Sequence, residues 1–335
     1  MFRFRHAVNL DNNATTAVSR RVRKAMDDVL RRQFGNPSGA YAVARAAAAI
    51  VQDSRETVAR TVNAQPEEIF FTSGATEANN QVLAALAEPS DRGASRILST
   101  PIEHPSIMNT LAHLERRGCE IEMIPIDADG RVQMDALRKL VGEGASLLCC
   151  MLANNEIGSI QDVRSVSDLA RDHGIPVFSD CAQALGKIPV DLQELGVDYA
   201  SFSAHKLHGP KGVGALYVKR HSRIVPLLHG GHQEAGVRAG TEGVHNIAGF
   251  AEACRAVPAL LETSQAIADR RDSLLARLCS IRPDLLVNSP SRGCLPNTLS
   301  VAFPGERSAE LIAVLDMHGI AVSAGAACST GETTP

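Results

Sequence analysis

The chain has 335 residues, 44% hydrophobic and 21% charged, with a formal net charge of −3. That composition describes a globular protein with ample core, and the near balance of charge excludes the basic footprint of a nucleic-acid or membrane-surface binder. No apolar run approaches the ~18 residues of a spanning helix, and the start, Met1-Phe-Arg-Phe-Arg-His6, is too short and too charged for a signal peptide.

Eight cysteines occur without a CxxC pair or a repeated spacing. This argues against a disulfide framework or a resident zinc site and points to a reducing, cytoplasmic location. Cys149 and Cys150, in an apolar run, read as buried small hydrophobes.

In chain order, Val22, Met26, Val29 and Leu30 give helical spacing over 20–34. Residues 68–72 read as a strand, followed by Ser73-Gly-Ala-Thr-Glu77 opening a helix. Further strands are expected at 96–99, 122–126, 147–152, 176–179, 199–203 and 215–218, with helices such as 165–172 between them. These short runs lack alternation, as strands buried on both faces do. The pattern is α/β with a mainly parallel sheet. Near residue 255 the rhythm changes to a long helical stretch over 252–278, short strands and turns over 283–304, and a helix over 308–318. Two units are expected: a large one over 16–254, and a smaller one made of 1–15 with 255–335.

Several turns carry chemistry. Lys206 lies in Ser203-Ala-His-Lys-Leu-His-Gly-Pro-Lys-Gly212, after a strand and before a Gly-Pro turn. That setting suits a Schiff-base lysine holding an aldehyde cofactor, or else a surface loop lysine. Gly74, Ala75 and Thr76 open a helix whose free N–H groups can bind phosphate, or Thr76 and Glu77 simply form its first turn. Asp180 ends a strand, where ligands bind in open α/β sheets. It can pair with a protonated ring nitrogen or cap the next helix, and Gln183 comes one turn later. His104 can stack on a ring and carry protons, or be structural. Asn154 and Asn155 come after another strand, as turn formers or ligand contacts. Cys328 sits in a Gly/Ala/Ser loop, a candidate nucleophile or an incidental thiol.

Taken together, these residues resemble the cysteine desulfurases of the NifS/IscS type, in the class V aminotransferases of the fold-type I pyridoxal phosphate enzymes. The matching segments are Leu10–Thr16, Phe34–Ser38, Phe71–Glu77, Glu103-His104, Asn154–Gly158, Asp180 with Gln183, Ser203–Lys206 with Gly209–Gly212, Arg238–Thr241 and the loop 323–331, in family order along the whole chain.

The resemblance implies a mainly parallel seven-stranded sheet between helices with a smaller α+β domain, and a homodimer. It implies that Lys206 carries pyridoxal phosphate, Asp180 pairs with its ring nitrogen, Gln183 bonds its phenolic oxygen and His104 stacks on the ring. Ala75, Thr76, Ser203 and His205 hold the phosphate, with Thr241 supplied by the other subunit, and Asn155 lies near the cofactor and the substrate carboxylate. L-cysteine would yield L-alanine and a persulfide on Cys328 for a sulfur-acceptor or scaffold protein. Cys328 could then contact an iron–sulfur cluster during transfer. Iron–sulfur cluster assembly, nitrogenase maturation, tRNA thiolation and DNA sulfur modification all use such enzymes.

The chain departs from the family at Gly39, Tyr41 and Ala44. It also ends seven residues after Cys328, where the family continues with further small-domain elements and an arginine for the substrate carboxylate. The small domain is therefore expected to be incomplete. A selenocysteine lyase, another class V enzyme, or a truncated inactive paralogue serving as a scaffold are the alternatives.

Overall fold

A computed structural model describes residues 8–87 and 95–325. Strand β1 (Val8–Asn9) precedes helices α1 (Arg20–Arg32) and α2 (Ala42–Thr61). Strands and helices then alternate: β2 (Ile69–Thr72), α3 (Ala75–Leu86), β3 (Arg96–Ser99), α4 (Pro105–Glu115), β4 (Glu120–Met123), α5 (Met134–Gly142), β5 (Leu147–Cys149), α6 (Val163–Asp172), β6 (Val177–Asp180), α7 (Leu192–Leu195), β7 (Tyr199–Ser203) and β8 (Gly214–Val218). Helices α8 (Val244–Arg255), α9 (Val257–Glu262) and α10 (Ser264–Ile281) come next, then β9 (Leu286–Val287), β10 (Val301–Ala302), α11 (Ser308–Met317) and β11 (Ile320–Ala321).

Seven strands form one sheet in the order β2-β8-β7-β6-β5-β3-β4. β3 through β7 run parallel, and β8 runs antiparallel to both of its neighbours. Strands β3, β5, β6, β7 and β8 are buried at every position, as strands covered on both faces are. One layer of core includes Val51, Val58, Val166 and Phe250 from α2, α6 and α8. The other includes Val82, Leu83, Ile107 and Leu111 from α3 and α4. This direction of strands puts the carboxyl ends of β2, β3, β5, β6 and β7 along one rim, where ligands sit in such sheets.

Charged side chains gather at both edges of the sheet. On edge strand β2, the Phe71 N–H donates to Glu234 at 2.8 Å and the Ile69 carbonyl accepts from Arg55. Arg55 and Glu234 pair through two bonds of 2.7 and 2.8 Å. The guanidinium also lies 4.9 Å from the centre of the Phe71 ring. A clamp thus takes the ladder groups that an edge would otherwise offer to another chain. At the opposite edge, Arg96 of β3 gathers Glu120, Glu122 and Glu143.

Two elements differ from expectation. β4 covers 120–123 rather than 122–126, and it stops short because Pro125 has no N–H and the last ladder bond is Ile124 N–H to the Ser99 carbonyl at 2.8 Å. The helical stretch over 252–278 is three helices, α8 to α10. Pro258 cannot donate to the turn before it, and Thr263 Oγ1 donates to the Leu260 carbonyl at 2.8 Å.

Beyond the sheet, β1 pairs in parallel with β11, and β9 with β10 antiparallel. The chain returns to the sheet at 293–295. Ile160 N–H donates to the Gly293 carbonyl at 2.9 Å and Leu295 N–H to the Gly158 carbonyl at 2.8 Å, with Leu295 fully buried. No helix among the described residues is long and apolar enough to cross a membrane.

Candidate active site

The turn from β2 into α3 forms an anion cup. The Ala75 N–H donates to Ser203 Oγ at 2.8 Å, tying the start of α3 to the end of β7. Among the described residues the next two amides, of Thr76 and Glu77, bond no acceptor. Free first-turn amides and the helix dipole both favour an anion here. Gly214 permits the close approach of the turn. A Cβ there would lie 2.2 Å from the Phe202 carbonyl oxygen and 2.7 Å from the Gly74 Cα. Thr76, Ser203, His205 and Lys211 line the resulting cavity of about 360 Å³.

The next strand ends carry a polar chain. Asp180 is buried, and its Oδ2 accepts from Asn79 Nδ2 at 2.9 Å while Oδ1 accepts from the Ala182 N–H at 2.9 Å. No lysine or arginine among the described residues forms an ion pair with it. A buried carboxylate with only neutral donors suits a cationic N–H. Asn79 Nδ2 also donates to Ser106 Oγ at 2.8 Å, and Ser106 Oγ lies 2.7 Å from His104 Nδ1. The Ser106 N–H donates to the same Nδ1 at 3.1 Å, so Nδ1 is the acceptor and the neutral ring carries its proton on Nε2. Burial pulls the His104 pKa down against the opposing charge of Asp180. Beside it, burial lifts the fully enclosed Glu103 to about 8, against hydrogen bonds from Thr100 and Met151 and with the help of Asp180.

Lys206 comes directly after β7, and its Nζ donates to the carbonyls of Asn13 and Ala14, the latter at 2.9 Å. Asn13 is the joint of the site. Its carbonyl also accepts from Gln183 Nε2 at 2.9 Å, and its Nδ2 donates to the Asn155 carbonyl at 3.1 Å and to Thr298 Oγ1 at 2.9 Å. Burial, then the charges of Lys206, Lys211 and Lys187, lower the His205 pKa to about 4, so its ring is neutral near pH 7. His205 Nδ1 lies 3.1 Å from Thr15 Oγ1.

Ala75, Thr76, Ser203 and His205 therefore share the cup, and Lys206 and Gln183 share Asn13. Asp180 and His104 are joined through Asn79 and Ser106. Asn154 spends its side chain on the scaffold, accepting from the Glu156 and Ile157 amides at 2.9 Å and donating to the Ile102 carbonyl at 3.0 Å, while the Asn155 side chain bonds no other described residue. Thr241 is not in the cup. It is exposed and lines an adjoining cavity of about 210 Å³ with Glu234, Arg238 and Asn246. Cys328 lies outside the described residues, but its loop begins beside the site. A side chain at Gly325 would sit 3.5 Å from the Glu156 carboxylate, and Ser323 Oγ donates to Asp11 at 2.9 Å. Asn13, Asn79 and Ser106 were not singled out by sequence. A polar residue one turn after Thr76, on the buried face of α3, was the available signal for Asn79.

The class V aminotransferase family model matches residues 8–334. The cysteine desulfurase IscS of Dictyoglomus turgidum is 37% identical over 331 residues, covering 98% of this chain and 84% of that protein. This chain belongs to the class V aminotransferases, among the cysteine desulfurases of the NifS/IscS type. The solved structure of a NifS-like protein superposes on this desulfurase-type chain with a TM-score of 0.92 at 41% identity, covering 95% of this chain and 87% of that one. A structure of SspA in complex with cysteine gives a TM-score of 0.83 at 31% identity, covering 98% and 92%. The mainly parallel seven-stranded α/β architecture is thus that of fold-type I enzymes.

Proposed function

We propose that this desulfurase-type protein uses pyridoxal phosphate to move sulfur from L-cysteine to Cys328, releasing L-alanine. The observation that carries the reading is the meeting, on one rim of the sheet, of an amide and hydroxyl anion cup, a buried Asp180 that pairs with no lysine or arginine among the described residues, and the amine of Lys206. These groups fit the phosphate, the ring nitrogen and the aldehyde of the cofactor respectively. When bound, the cofactor supplies an electron sink for charge developing at the substrate α-carbon.

The protein's own groups do the rest. The Thr76 and Glu77 amides, with Ser203 and the neutral His205, hold the phosphate. Asn79 keeps the Asp180 carboxylate oriented. His104, with Nδ1 fixed by Ser106, presents Nε2–H and carries a proton in the cleft. The Lys206 amine moves the α-proton. Asn155, its amide unspent, is placed for the substrate carboxylate. Cysteine and the Cys328 thiol give alanine and a Cys328 persulfide, so sulfur and protons balance without an external oxidant. Three residues from Gly325 to Cys328 span at most ~10 Å, which supports delivery of the thiol to this rim.

The same reading makes the protein a cytoplasmic homodimer that passes its sulfur to an acceptor protein, for iron–sulfur clusters or another sulfur pathway. Exposed Leu30, Phe34, Tyr41 and Val43, with Phe34 87% exposed, support a covered face near α1 and α2. On the partner's cup Thr241 would complete the phosphate site. We also divide the chain at 254/255, with 1–15 joining the C-terminal unit, which the pairing of β1 with β11 supports.

The test is direct. Reconstituted protein should turn yellow, and borohydride should attach the cofactor covalently to Lys206. Lys206→Ala should lose all turnover, and Cys328→Ala should lose alanine release from L-cysteine. A protein that stays colourless, or a Cys328→Ala variant as active as wild type, would refute this function.

A further inference from the structure

Lys187 stands in the turn after β6 and plays no part in that chemistry. Its Nζ donates to Gln183 Oε1 and, at 3.2 Å, to Asn13 Oδ1. Both acceptors are uncharged, and among the described residues no carboxylate forms an ion pair with it. Gln183 Nε2 in turn donates to the Asn13 carbonyl at 2.9 Å. A carbonyl can only accept, so the Gln183 amide turns its nitrogen to Asn13 and its oxygen to Lys187. One hydrogen of that nitrogen remains for a ligand. The Asn13 carbonyl also receives Lys206 Nζ. Two amines therefore converge on one asparagine, one through its main chain and one through its side chain.

We propose that Lys187 is a positioning residue of this site, fixing the Gln183 amide toward the cofactor's ring oxygen and setting a second positive charge beside Lys206 so that the Lys206 amine is kept reactive. The amide half rests on the cofactor reading; the charge half does not. Burial, and then the charge of Lys206, bring Lys187 itself down to about 7, and like-charge repulsion is mutual. The titratable groups facing Lys187 are Lys206 and His205, after β7. Its own turn, the Asn13 segment, the 293–298 segment and α10 bring Gln183, Asn13, Asn297 and Ser264, all uncharged. Among the described residues, the one charge acting on Lys187 is that of Lys206.

Lys187→Met keeps the unbranched apolar stem of the side chain and removes both its charge and its donors. In cofactor-free protein, acetylation of Lys206 at pH 6, where Lys187 carries its charge, quantified by peptide mass spectrometry, should slow about tenfold in Lys187→Met and stay near wild type in Lys187→Arg. In protein reconstituted with pyridoxal phosphate, the pH midpoint of the visible absorbance should rise by about one unit in Lys187→Met. Unchanged Lys206 labelling in a Lys187→Met protein with native circular dichroism and melting would overturn the proposal, because a merely structural lysine would move only the melting. A Lys187→Arg protein that labels like Lys187→Met would overturn it too. Should Lys187→Met not fold, wild-type labelling decides. Lys206 reactivity must then show an inflection where Lys187 titrates, and a single inflection at the ordinary lysine position refutes the coupling. A labelling change in protein that takes no colour would sink the cofactor reading and the amide half, and leave the charge effect standing.

Discussion

Removing Glu234 should release the edge of the sheet on which the anion cup is mounted. Glu234 exposes only 2% of its side chain and Arg55 only 16%. Glu234→Ala therefore leaves a nearly buried guanidinium without its counter-charge and the Phe71 N–H without its acceptor. Breaking one partner of such a pair costs about 3 kcal/mol, the low end because Arg55 retains some water. The chain has no tryptophan, so urea unfolding is followed by far-UV circular dichroism. Arg55→Met should cost a similar amount, and the double variant should fall short of the sum by about 2 kcal/mol. Since β2 leads directly into α3, affinity for pyridoxal phosphate should fall alongside stability. A Glu234→Ala cost below about 1 kcal/mol, or additive single effects, would refute the clamp as the holder of this edge.

Two further outcomes concern the site itself. Glu103 is held protonated up to about 8, well above the ordinary glutamate value of 4.5, so the folded state binds a proton that the unfolded state has released. Its stabilising share is full below 4.5 and drains as pH rises toward 8, by about 1.4 kcal/mol per pH unit. Glu103→Gln should flatten that decline, and an unchanged stability profile between pH 5 and 8 would contradict the assignment. Ser203→Ala should weaken pyridoxal phosphate binding about tenfold, the worth of one hydrogen bond, while pyridoxal, which lacks the phosphate, binds unchanged. Equal weakening of both in absorbance titrations would remove Ser203 from the phosphate site.

Much of the sheet was legible because its strands are buried on both faces. Five of them reduce to short apolar runs bounded by turns, and the residues after those runs (Thr76, His104, Asn155, Asp180, Lys206) are the ones the fold brings to the rim. Helix α2 gave little signal, because Ala46-Ala-Ala-Ala49 blurs the contrast between its buried and exposed faces. The break between α8 and α9 was hidden because a proline near a helix start fits either a new helix or a kink. The residues that organise the site were less visible still. Asn13 and Asn79 act through bonds to positions far along the chain, and a single asparagine carries no local sign of such a partner. Lys187 is hidden for the same reason, since its bond to Asn13 leaves no mark on its neighbours.

The bonds of Asn13 have a consequence for how the molecule assembles. They reach partners 142, 170, 174, 193, 284 and 285 positions away. Each demands a large loop closure, and such closures come late, after local helices and neighbouring strands have formed. The rim should therefore acquire its final shape only when the first residues of the chain have docked against segments near 183, 206 and 297. Cofactor capture then reports completed folding of the whole chain. A refolding experiment should show the visible band appearing after most of the far-UV signal has returned, and cleavage of the chain before Ala17 should erase the band while leaving much of the sheet intact.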